Sequence, residues 1–129
     1  MMTARLLFNS AAIVEVLVGL ALLVAPLLVI GLLLGDGLGP TGVAVARVLG
    51  IALLAVSVAG WQSPGQDTHL APRAGLCIYN VGVAALLMYL GTTGGMNGPF
   101  LWPVAALHGL IGAAMLWIIS ARLRNNNNV

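Results

Sequence analysis

Charge is what this chain has least of. Its 129 residues include no lysine, only five arginines, and only three carboxylates, so 6% of the sequence is charged and 60% is hydrophobic. A soluble domain carries about 25% charged residues because its surface must face water. A water-soluble globule is therefore excluded, and one domain built against lipid is expected at this length. The five arginines stand apart from one another between apolar runs and form no basic patch. That scatter argues against nucleic acid as a partner despite the net charge of +2.

Cysteine is almost absent as well. Cys77 alone allows neither an intrachain disulfide nor a thiolate metal cage. In an apolar stretch it reads as a small buried hydrophobe. His108 has no second histidine within an apolar run, and His69 lies in a polar loop next but one to Asp67. Three or four ligands are normally needed for a transition-metal site, so no metal is expected. No nucleophile–base pair, phosphate-binding loop or nucleotide motif is present.

What the chain does have is long apolar runs. A spanning helix needs about 20 mostly apolar residues. Four segments meet that length, at about 6–34, 41–61, 74–90 and 100–121, separated by turns rich in glycine and proline. The expected fold is all-α, an integral membrane four-helix bundle running up-down-up-down. The first run is longer than the apolar core of a signal peptide, and Pro26 would follow directly on the cleavage point at Leu23-Val24-Ala25. It is therefore read as a span. Residues 125–129, with their run of four asparagines, have no apolar face to bury and read as a disordered tail.

Orientation follows from the arginines, because cytoplasmic loops hold the excess of basic residues. Arg5, Arg73, Arg122 and Arg124 fall on one side of such a bundle, and the opposite side has Asp36 and no base in its loops. Both termini are expected in the cytoplasm, and a bacterial inner membrane is the expected location. Trp61, Trp102 and Trp117 lie near span ends, where an interfacial aromatic belt would place them.

Each apolar run carries one ionisable or amide residue well inside it. Glu15, Arg47, Asn80 and His108 take the four spans in turn, and a rise of about 1.5 Å per residue places them within roughly two helical turns of one another in depth. A charge facing lipid costs about 2.5–3.5 kcal/mol even on the gentlest scale. Glu15 and Arg47 are therefore expected to turn inward and meet. Gly19, Gly50, Ala84 and Gly112 each follow one turn after a member of the quartet, a spacing that shares a helix face and lets helices approach. Tyr79 can add a hydroxyl to the same site. The quartet can act simply as interhelical glue, but intramembrane ionisable groups mark ligand or proton sites by default. The expected site is thus Glu15, Arg47, Asn80, His108 and Tyr79, holding a small amphipathic molecule or handling protons. In a catalytic version Glu15 and His108 would form an acid–base pair, with Arg47 stabilising negative charge.

A weak internal repeat accompanies this pattern. Residues 13–19 align with residues 78–84, placing Glu15 over Asn80, and residues 43–47 align with 104–108, placing Arg47 over His108. Such an alignment suggests a parallel duplication of a helical hairpin.

Three segments carry a resemblance to known proteins. They are Ala46-Arg47-Val48-Leu49-Gly50, Tyr79-Asn80, and Gly98-Pro99-Phe100-Leu101-Trp102-Pro103 followed by His108. Together with the span layout, they make nearly the whole chain resemble small bacterial four-helix membrane proteins of the DoxX-like group. That resemblance implies the fold far more than an activity, because the group is functionally mixed. Ala12-Ile13-Val14-Glu15-Val16 is also similar to the carboxylate segment of small multidrug resistance transporters. The third span lacks those proteins' Gly-x-Ala-Tyr-Ala-x-Trp pattern, and an arginine beside Glu15 would compete with cationic drugs for it. A non-catalytic subunit of a larger membrane complex, or a homo-oligomer, is the remaining alternative.

Overall fold

In the computed structural model, residues 2–61 and 70–126 are described. They form five helices: α1 (Met2–Val24), α2 (Pro26–Leu34), α3 (Pro40–Gly60), α4 (Leu70–Thr93) and α5 (Leu101–Asn126). No strand occurs among the described residues. Four stretches, Ala4–Val24, Pro40–Gly60, Arg73–Thr93 and Leu101–Arg124, are long and apolar enough to cross a membrane. A 21-residue helix rises about 32 Å, which matches a hydrocarbon core of about 30 Å. Many large apolar side chains point away from the interior, among them Leu110 at 73% and Ile78 at 72% exposure. That outward surface suits lipid rather than water. Four candidate spans of this kind suggest a multi-pass membrane protein.

The first apolar run differs from expectation. Instead of one helix over 6–34, it forms two, because Pro26 has no N–H and its ring drives the preceding residue out of the helical region. Ala25 accordingly sits at φ −134°, ψ 57°, and Pro26 opens α2 at the position where a missing N–H costs nothing. At nine residues α2 rises only about 14 Å, too short to span. It ends on Gly35, whose φ of +79° is a left-handed cap, with its N–H returned to the Gly31 carbonyl.

The other boundaries shift as well. The third helix begins at Leu70 and runs to Thr93, so residues 70–72 and 91–93, expected in turns, are helical. The fifth element continues to Asn126, so Asn125 and Asn126 extend a helix rather than begin a tail. Residues 127–129, like Asp67 and His69, lie outside the described residues. Arg73, expected as a loop-end topology signal, lies inside α4 and is buried. Its guanidinium carbon stands 5.5 Å from the centroid of the Phe8 ring, a cation–π distance.

Glycine decides how the helices pair. Gly19 of α1 and Gly50 of α3 pack backbone to backbone. A Cβ on Gly50 would stand 2.7 Å from the Gly19 carbonyl oxygen, and one on Gly19 would stand 2.9 Å from that of Gly50. The buried stripe of α3 is Ala46, Gly50, Leu53, Ser57 and Gly60, an alternation of four and three that keeps one face inward. Helices α4 and α5 lie antiparallel, with Gly91 against Leu101 and Trp102, Ala84 against Gly109, and Val81 against Gly112. Phe8, Ala11, Leu76, Cys77 and Met115 join the two pairs in a core at the end where α1 begins.

At the opposite end α2 is clasped to the α4–α5 connection. The N–H of Phe100 donates to the Leu32 carbonyl at 3.0 Å, and that of Asn97 to the Leu34 carbonyl at 3.1 Å. Gly98 lies so close to the Leu32 and Leu33 carbonyls that any side chain there would collide. This clasp absorbs carbonyls at the last turn of α2 and holds the short helix across the bundle end.

Candidate ligand-binding site

The interior polar cluster is assembled from α1, α4 and α5. Glu15, Asn80 and His108 are all buried, with Glu15 at 1% and Asn80 at 0% exposure. Asn80 donates from Nδ2 to the Leu76 carbonyl one turn earlier on its own helix, at 2.8 Å. Its Oδ1 then faces Nδ1 of His108 at 2.9 Å. Glu15 Oε1 stands 3.8 Å from the same His108 nitrogen, close enough for electrostatic contact but beyond a hydrogen bond. The Tyr79 and His108 rings meet edge to face with centroids 5.7 Å apart, which puts the phenol beside the same cluster. Oε2 of Glu15 is buried and has no hydrogen-bonding partner among the described residues.

Four of the five expected site residues are thus brought together: Glu15, Tyr79, Asn80 and His108. Arg47 is not among them. It is exposed on the outside of α3, and no ion pair joins it to Glu15 among the described residues. The expectation that the two charges meet is corrected by the register of the α1–α3 crossing. Gly19 and Gly50 set the common level, Glu15 lies four residues from it toward the start of α1, and Arg47 lies three residues from it toward the start of α3. Their separation in depth is therefore about 10 Å. Facing differs too. Ala46, four before Gly50, takes the inward position, and Arg47 falls on the flank. The buried polar residue of α3 is instead Ser57, whose hydroxyl donates to the Leu53 carbonyl at 2.7 Å.

A cavity of about 460 Å³ opens directly beside Tyr79 and His108. Its walls come from every described helix, including Leu22 of α1, Ile30 of α2, Leu53 of α3, Leu87 of α4 and Val104 of α5. Tyr79 and His108 are the polar side chains on its surface. Glu15 and Asn80 are not in the lining, and Asn80 holds the imidazole by its Nδ1. Ligand sites are concave and mostly apolar with a few convergent polar groups, usually 300–1,000 Å³ in volume. The cavity meets that description. Its apolar wall residues were not singled out in the sequence, because a leucine that lines a cavity is indistinguishable there from one that faces lipid.

No family model, curated protein or solved structure matches this chain.

Proposed function

We propose that this is an up-down-up-down membrane protein that holds a small amphipathic molecule between its helices. The head group contacts Tyr79 and His108, and the apolar body lies along the cavity toward α2. The observation that carries this reading is the cavity itself: an apolar chamber whose polar lining is confined to those two side chains, with His108 oriented by buried Asn80. A quinone-like or isoprenoid compound has the right shape and polarity. The Asn80–His108 contact would also let the site move a proton at the head group. Arg5, Arg122 and Arg124 near the start of α1 and the end of α5, with Asp36 at the other end, support cytoplasmic termini in a bacterial inner membrane.

The test is native mass spectrometry of protein extracted directly into lipid nanodiscs. A small lipophilic passenger should accompany the wild type and be lost from Val83→Trp, which fills the chamber. An empty wild-type protein under gentle extraction would remove the proposal. Drug export through carboxylate exchange has less support, because Glu15 is not in the cavity lining.

Arg47 favours a second reading, that of an accessory subunit. An exposed guanidinium on a spanning helix is costly unless it reaches a head group or an acidic neighbour. A larger complex that survives gentle extraction and dissociates in Arg47→Leu would establish this role.

A further inference from the structure

The hydrogen-bond polarity of the cluster narrows the ligand's head group, and this step rests on the cavity being a binding site. The argument begins at Asn80. Its Nδ2 faces the Leu76 carbonyl, which can only accept, so the amide cannot be turned over without opposing two oxygens. Oδ1 is therefore the atom presented to His108. An amide oxygen only accepts, so Nδ1 of His108 must carry the hydrogen. The Glu15 oxygen at 3.8 Å on the same side favours that arrangement electrostatically. In the neutral imidazole one nitrogen donates and the other accepts. Nε2, the nitrogen left for the cavity, then offers a lone pair. Tyr79 lines the chamber beside His108, and a phenol hydroxyl can either donate or accept.

We infer that this chamber selects a lipophile whose polar end donates a hydrogen bond, a free hydroxyl in particular, over one whose polar end only accepts, such as an ether, aldehyde or ester. An acceptor-only head faces a lone pair at Nε2 and can be met only by the Tyr79 hydroxyl, whereas a hydroxyl can donate to Nε2 and accept from Tyr79 as well. A hydroxyl satisfies Nε2 directly. Sites built around a specific hydrogen bond discriminate far more strongly than apolar pockets that recognise only size. The length is also set. His108 lies eight residues from Phe100 at the clasped end, so the apolar body has about 12 Å of cavity along α5. A branched isoprenoid alcohol of the farnesol type fits this description.

The experiment uses full-length wild-type protein in nanodiscs and three probes sharing one chain: farnesol, farnesyl methyl ether and farnesal. Saturable displacement of radiolabelled farnesol is measured against protein-free discs, which removes simple partition into lipid. The ether and the aldehyde should displace about tenfold more weakly than the alcohol, the loss of roughly one hydrogen bond. His108→Phe, which keeps a ring and removes both nitrogens, should bring the alcohol down to the level of the ether. The wild-type series decides the matter without that variant if the variant does not fold. Equal displacement by all three, or preference for the aldehyde, overturns the donor-head inference while leaving the cavity as a binding site. Absence of saturable binding by any of the three overturns both.

Discussion

Two helical pairs treat their polar residues in opposite ways. In α4 and α5 both interruptions turn inward and meet, Asn80 on His108 at 2.9 Å. In α1 and α3 only one does: Glu15 is buried, whereas Arg47 is exposed. The aligned segments that place Glu15 over Asn80 and Arg47 over His108 therefore do not produce equivalent geometry. The difference lies mainly in the face each residue takes on its helix. Across α4 and α5, Asn80 and His108 lie either side of the Ala84–Gly109 and Val81–Gly112 contacts, about 8 Å apart in depth, but both take buried positions between the helices. Across α1 and α3 the Gly19–Gly50 crossing likewise falls between the two charges, but Ala46 takes the inward position and leaves Arg47 on the exposed flank. A residue's helix and its polarity are thus insufficient to place it in a site. The face it takes where its helix meets the next is also needed.

The largest effect should come from disturbing that crossing. Gly50→Val adds atoms within 2.7 Å of a backbone oxygen, which no change of rotamer can relieve. Overpacking of this kind should cost about 3 kcal/mol. Reversible unfolding in mixed micelles would measure it, with Gly82→Val, which meets nothing within 4 Å, as the matched control in the other pair. Equal losses in the two variants would show that the α1–α3 approach is no tighter than an open helix surface.

Breaking the polar contact of the second pair should have an intermediate effect. Asn80→Leu strands the His108 Nδ1 hydrogen in an apolar interior, at a cost of about 2 kcal/mol. In a double-mutant cycle with His108→Leu, the coupling should reach about 1 kcal/mol, within the range found for interhelical hydrogen bonds in membranes. A vanishing coupling would mean that the 2.9 Å contact contributes nothing to the bundle.

The smallest effect is expected for the charges of the first pair. Glu15→Gln and Arg47→Met should be additive to within about 0.5 kcal/mol, as for sites with no shared partner. Measuring the cycle by the same unfolding assay would sharpen the comparison. A coupling of several times that size would restore a direct Glu15–Arg47 interaction and make the two pairs alike.

Much of the outline was legible before any coordinates. The four apolar runs and the burial of Glu15, Asn80 and His108 follow from composition and the cost of stranding polar groups in lipid. Pro26 is visible in the sequence too, and it divides the first apolar run into one helix long enough to span and a short one. Arg73 was read by sequence position as a loop charge, although helix α4 begins three residues earlier and carries it against Phe8.

The sequence by itself determined the solvent and the element type. With 6% charged residues and four long apolar runs, each span must satisfy its own backbone, and helices do so with local hydrogen bonds alone. Only the tertiary structure decided which polar residues share a site, because that depends on contacts between residues far apart in the chain. Ala46, turned inward beside the Gly19–Gly50 approach, left Arg47 outside, Asn80 against His108 set the direction of the hydrogen bonds, and the α2 clasp at Gly98 left the cavity beside them. Helical periodicity places a side chain on a face of its own helix, but it carries no information about the height or angle at which another helix crosses that face.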